Sequence, residues 1–130
     1  MSKVHDVNMP SSWDPIRRAR CVALTTYKKD GTPVTTPMWV AVDGNRILTT
    51  SDFDAWKLKR IQRNPRVRLA PCTIRGRVTG DFIDGRARVM TEAETESAIE
   101  GKKRRYAVFR VMVRIRKPQV GIEITPEVTS

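Results

Sequence analysis

The sequence predicts a mainly β, α+β domain of six antiparallel strands, with a short basic helix after the third strand and one or two helices before the last. Three observations lead there. Strand-like alternation with a period of two runs through Cys21–Tyr27, Arg86–Met90 and Val120–Ile124. Glycine-bearing turn signals, Lys28-Lys29-Asp30-Gly31 and Asp43-Gly44-Asn45, separate the early strands. Ala55, Leu58 and Ile61 recur at a spacing of three in a segment that Asn64-Pro65 brings to a stop.

Taken in order, residues 1–19 read as an arm, with Trp13 available to tack it down and Pro15 placed to open a helical turn. Residues 20–130 read as the domain. In the first strand Val22, Leu24 and Thr26 share one face, and Cys21, Ala23, Thr25 and Tyr27 the other. The return strand, Val34–Val42, contains Pro37, which has no amide hydrogen for a ladder and so belongs at an edge or a bulge. A third strand follows at Ile47–Thr50. Asp52 or Asp54 is expected to cap the basic helix. After it, Arg66-Val67-Arg68-Leu69 alternates again, and this strand is expected to continue past Pro71 through Ile74 to Val78. Gly80-Asp81 and Asp84-Gly85 bracket a turn before Arg86–Met90. Thr91 with Glu94 is a capping-box pair for a helix from about Glu92, acidic at its start and basic at Lys102–Arg105, in keeping with the helix dipole. Residues 106–116 fit either a strand or a helical stripe, and the reading leans to helix. Lys117-Pro118-Gln119 breaks that segment ahead of the last strand.

A chain of 130 residues, 39% hydrophobic and 30% charged, fits one domain that buries further surface in a dimer. Its net charge of +11 favours anionic partners: nucleic acid, an anionic membrane surface, or a small ligand carrying phosphates and carboxylates. From Ala55 to Gly80 there are eight Lys or Arg residues and no Asp or Glu, which makes this stretch the place to seek an anionic ligand. Cys21 and Cys72 form no CxxC pair and read as reduced thiols of a cytoplasmic protein. His5 is the single histidine, so neither a zinc site nor a Ser-His-Asp triad has its usual parts. No run of about 18 apolar residues is present, and residues 1–10 lack the apolar core of a secretory signal.

The order of motifs resembles the pyridoxamine-phosphate-oxidase-like flavoprotein superfamily, and within it the PPOX-class deazaflavin-dependent oxidoreductases. The matching residues are Asp30-Gly31-Thr32-Pro33 with Thr36-Pro37-Met38-Trp39, then Thr49-Thr50, and Lys57-Leu58-Lys59-Arg60-Ile61 with Asn64-Pro65-Arg66-Val67. They continue with Ala70-Pro71-Cys72, Arg75-Gly76-Arg77-Val78-Thr79-Gly80, and Val120-Gly121-Ile122-Glu123-Ile124-Thr125-Pro126. The resemblance implies a split β-barrel, a homodimer with the cofactor at its interface, and hydride transfer between coenzyme F420 and a small organic substrate, with FMN as the alternative cofactor.

It also implies roles for particular residues. Lys57 would pair with the cofactor phosphate, and the hydroxyls of Thr49, Thr50 and Ser51 would donate to it. Met38 or Trp39, but not both, would face the ring system, because neighbours on a strand point to opposite sides. Pro71, Cys72 and Thr73 would line the cleft, from the partner subunit if the site is shared, and Arg60, Arg63, Arg75 and Arg77 would meet the acidic tail of the deazaflavin. Each has a plainer reading as a solvated lysine, an ordinary strand threonine, a core side chain or a basic surface. The chain departs from the family pattern where Ala55 and bulky Trp56 precede Lys57, which is expected to narrow the phosphate pocket or tilt the helix. No catalytic acid, base or metal ligand is assigned. A non-catalytic F420, FMN or haem carrier is a second reading. A nucleic-acid-binding module is a third, resting on charge alone.

Overall fold

The computed structural model describes residues 10–96 and 119–127. Its body is one antiparallel sheet of seven strands: β1 (Cys21–Tyr27), β2 (Pro33–Trp39), β3 (Ala41–Asp43), β4 (Arg46–Asp52), β5 (Arg66–Pro71), β6 (Ile83–Val89) and β7 (Gln119–Pro126), in the order β2-β1-β5-β6-β7-β4-β3. β2 and β3 are the two edges of this order, yet only Val40 lies between them in the chain. Edges joined by one residue have to meet, so the sheet rolls into a split barrel. The expected return strand Val34–Val42 is therefore two strands, which makes seven in place of the six predicted. At the bend, the Val40 amide donates to the Arg20 carbonyl at 2.9 Å. Pro37 lies in edge strand β2, opposite Ala23, where its missing amide hydrogen costs no ladder bond.

β1 is buried on both faces. Val22 and Leu24 point into the barrel core with Ile47, Leu69, Ile122 and Ile124, while Cys21 and Ala23 lie beneath Trp39 and Phe82 on the outside. The arm is pinned as expected by Trp13, which precedes a short helix α1 (Asp14–Arg18) and sits in the same core as Ile16.

Trp13 also explains a misread segment. Asp84 and Gly85 are inside β6, not in a turn. A Cβ built on Gly85 would stand 3.1 Å from the Trp13 ring and 3.1 Å from the Thr125 carbonyl. This glycine is needed because it lacks a side chain.

Helix α2 (Trp56–Arg63) buries Leu58 and Ile61 against the core, as its stripe predicts. It is not capped by Asp52 or Asp54. Ala55 is the N-cap residue, no described side chain caps the helix, and the Ala55 amide itself bonds to the Asp52 carbonyl at 3.0 Å.

The strand expected over Ile74–Val78 is absent. β5 ends at Pro71, and the chain turns through Thr73–Gly76, with Gly76 at φ +93°. The Thr73 hydroxyl accepts from the Arg75 and Arg77 amides at 3.3 and 3.1 Å, and a single bridge, Cys72 to Val78, is all that remains of a ladder.

Residues 92–96 are helical behind the predicted capping box. The Thr91 amide donates to Glu94 at 2.8 Å, and the Glu94 amide donates to the Thr91 hydroxyl at 3.2 Å. The Lys102–Arg105 cluster, the 106–116 segment and His5 lie outside the described residues.

Candidate functional site

Lys57 is the second residue of α2, half-buried at a helix end that no described side chain caps and that has no acidic residue in its first turn. Burial lowers its pKa from the ordinary lysine value, the neighbouring positive charge of Arg60 lowers it further, and Asp52 acts in the opposite sense. Asp52 is held in place by the Gln119 amide, 2.7 Å away across the β4–β7 ladder. A desolvated ammonium beside uncommitted helix amides is an environment that an anion relieves.

The three hydroxyls leading to it divide across the sheet. Thr49 is 1% exposed, and its hydroxyl donates to the Trp39 carbonyl at 2.6 Å, so it ties β4 to the end of β2 across the barrel seam. Ser51 shares the Thr49 side of the strand and is also buried, while Thr50 faces the other way and is half-buried opposite Gly121.

Met38 and Trp39 point apart, as their spacing requires. Met38 is part of the barrel core. Trp39 packs outside on Cys21, Cys72 and Phe82. Cys72 lies directly across from Cys21, its amide bonded to the Cys21 carbonyl at 3.2 Å. Both thiols are free and buried, and burial raises the pKa of each. Pro71 is buried, while Thr73 and Arg75 belong to the turn just described, with Arg75 exposed.

Within one chain these residues form two groups. Cys72 sits beside the first residue of β1, whereas the Arg60 guanidinium approaches the Thr26 hydroxyl, at 3.5 Å, near the other end of that strand. Five residues at about 3.4 Å each place the two ends about 17 Å apart.

Trp56 does not stand over Lys57. It is 69% exposed and lines a groove of about 490 Å³ on the outward side of α2 with Lys28, Lys59, Arg60 and Arg63. Lys28 and Lys59 were not singled out from the sequence; each looks like an ordinary surface lysine until α2 and the β1–β2 turn are placed side by side. Phe82, the outer cover of Trp39 and Cys72, was also missed. Among the described residues no group of His, Cys, Asp or Glu is arranged to hold a metal ion, and no helix is long and apolar enough to cross a membrane.

The family model described as pyridoxamine 5'-phosphate oxidase matches residues 14–130. The chain belongs to this family. Its architecture is shared with solved structures at low identity. A conserved hypothetical protein of Mycobacterium tuberculosis superposes with a TM-score of 0.67 at 21% identity, over 95% of this chain and 84% of that one. An FAD-binding protein of Mesorhizobium loti gives 0.62 at 18%, covering 91% and 87%. A structure named as an F420 reductase gives 0.56 at 20%, covering 91% and 94%. At these identities the likeness is one of fold. No curated protein matches the chain.

Proposed function

We propose that this member of the pyridoxamine 5'-phosphate oxidase family is an F420-dependent oxidoreductase that transfers a hydride between the deazaflavin and a small organic substrate. The observation that carries the reading is Lys57, half-buried at the N-terminus of α2, with no acidic residue in the first turn and none from Ala55 to Gly80. These groups fit a cofactor phosphate. The Lys57 ammonium supplies the charge, the first amides of α2 supply oriented donors, and Thr50 and Ser51 stand at the strand end that leads into them. When bound, a deazaflavin supplies the hydride chemistry, and the protein supplies binding, orientation and exclusion of water.

Two further features support a homodimer with a shared site. The group around Trp39, Cys72 and Thr73 lies toward the end of β1 opposite Arg60, so a second copy is the simplest source of the far wall. Phe53, Ile74 and Val78 are 54%, 67% and 41% exposed, apolar surface of the kind that interfaces cover.

Titration of the purified protein against F420, followed by quenching of deazaflavin fluorescence, tests the reading. Saturable binding in the micromolar range and oxidation of reduced F420 in the presence of an acceptor are expected. No binding at these concentrations overturns it. Preferential binding of FMN moves the assignment to a flavin enzyme, in line with the FAD-binding protein of the same fold. Binding without turnover leaves a carrier.

A further inference from the structure

The groove on the outward side of α2 is distinct from the Lys57 cradle, and its lining has a definite chemistry. Lys59, Arg60 and Arg63 project from the helix, and Lys28 reaches in from the turn after β1. Among the described residues no carboxylate lines the groove. On the sheet several arginines are paired: Arg46 and Arg88 share Glu123, Arg68 meets Asp84, and Arg86 meets Glu127. None of the ion pairs among the described residues involves Lys59, Arg60 or Arg63. Cations gathered without a counter-charge repel one another unless an anion sits among them.

Charge alone would admit any anion. Trp56 narrows the choice. Its indole is 69% exposed on the wall of the groove, and the Lys59 ammonium lies 5.0 Å from the ring centroid. Exposure of this extent with a cation on one side leaves ring surface open to a stacking partner. A large aromatic left in water on a charged helix has no role in the core, which is built from Leu58 and Ile61 on the opposite side of the helix. An aromatic platform ringed by unpaired cations matches a ligand that joins a flat heterocycle to phosphate. The groove's volume lies within the roughly 300–1,000 Å³ of small-ligand sites.

We propose that this groove binds a nucleotide unit, with the base stacked on Trp56 and the phosphate held by Arg60, Arg63 and Lys28. The unit is either a free nucleotide or one residue of a single-stranded nucleic acid. The site shares its arginines with the surface expected to meet the deazaflavin's acidic tail but not the phosphate cradle, because Lys57 does not line it.

The test uses the full chain, with tryptophan emission excited at 295 nm and calorimetry as a second readout. Trp13 is buried and Trp39 half-buried, so quenching by a stacked base reports on Trp56. The probes are AMP, a 15-residue oligothymidylate and inorganic pyrophosphate. Saturable, salt-sensitive quenching by AMP or the oligonucleotide is expected, with pyrophosphate at least tenfold weaker. Saturation by AMP alone assigns a free nucleotide, and much tighter oligonucleotide binding with a steep salt dependence assigns a strand. Trp56→Ala should weaken binding about tenfold or more, Trp56→Phe should retain most of it, and Arg63→Gln should weaken it several-fold. Lys57→Ala should leave it within twofold, so loss of deazaflavin binding and loss of nucleotide binding separate by variant. The proposal is overturned if neither AMP nor the oligonucleotide saturates at millimolar concentration, if pyrophosphate binds as well as they do, or if Trp56→Ala binds like the parent.

Discussion

Two charged residues carry sharp expectations. Burial and the neighbouring Arg60 charge make the protonated form of Lys57 less favourable than in an exposed lysine, and an anion needs it charged. Because its folded pKa is below the ordinary value, the unfolded chain binds the proton more tightly, and this residue opposes folding at neutral pH. A bound phosphate reverses that preference. Lys57→Ala should therefore weaken F420 binding about tenfold, near 1.5 kcal/mol for a charge-assisted hydrogen bond, while leaving the thermal midpoint unchanged or slightly raised. The parent's affinity should fall with rising pH earlier than an exposed lysine would allow, and Lys57→Arg should remove that dependence.

Glu123 behaves in the opposite sense. Burial raises its pKa, but the bonds from Arg46 at 2.7 Å and Arg88 at 3.1 Å outweigh burial and hold it below the ordinary carboxylate value. Its contribution is present above the unfolded carboxylate pKa and is lost as pH falls through the lower folded one. Glu123→Gln should cost about 1.5 kcal/mol in urea unfolding at pH 7, with the gap to the parent narrowing once the pH drops below about 4.

At the scale of elements, Gly85 is a closely approached position of β6. Its missing side chain leaves room for Trp13 on one side and the Thr125 carbonyl on the other. Gly85→Ala should destabilise the fold by about 1–3 kcal/mol, because a ring and a backbone carbonyl cannot both retreat inside a packed core. The loss should appear as a lower urea midpoint with an unchanged slope. The same glycine marks the limit of what the sequence shows. Asp84-Gly85 is locally a turn signal, and the reason for the glycine lies 72 residues away, at Trp13. Local chemistry was sufficient where the interaction is local: the Thr91–Glu94 box, the Leu58 and Ile61 stripe and the Arg66–Leu69 alternation are all present as read. It was insufficient at Ile74–Val78, where the Thr73 hydroxyl and the positive φ of Gly76 end a strand that residue preference alone would extend. Around the candidate site, the position of Lys57 at the start of α2 was legible through its motif, whereas the bonding of Thr49 was not. Nothing in Thr49-Thr50-Ser51 announces that the first hydroxyl is spent on the Trp39 carbonyl across a barrel seam.

At the scale of the whole molecule, the rolled sheet determines what one chain can and cannot assemble. Val40 brings the edge strands together, fixing Trp39 and Thr49 at the seam, while α2 carries Lys57 and Arg60 toward the other end of β1. The turn that follows Pro71 leaves Ile74 and Val78 exposed beside Arg75 and Arg77, a mixed apolar and basic surface that stands open among the described residues. If a second copy covers this surface and completes the cofactor cleft, assembly and cofactor binding must fail together. Sedimentation of the parent should then give a dimer. The double variant Ile74→Asp with Val78→Asp should sediment as a monomer, because two carboxylates buried at an interface carry a desolvation cost far above the worth of the apolar contact they replace. Both positions lie outside the barrel core, so the circular dichroism of that variant should match the parent's, and its F420 affinity should drop at least tenfold. A monomer that still binds F420 like the parent would place the whole cofactor site within one chain and remove Cys72 and Thr73 from it.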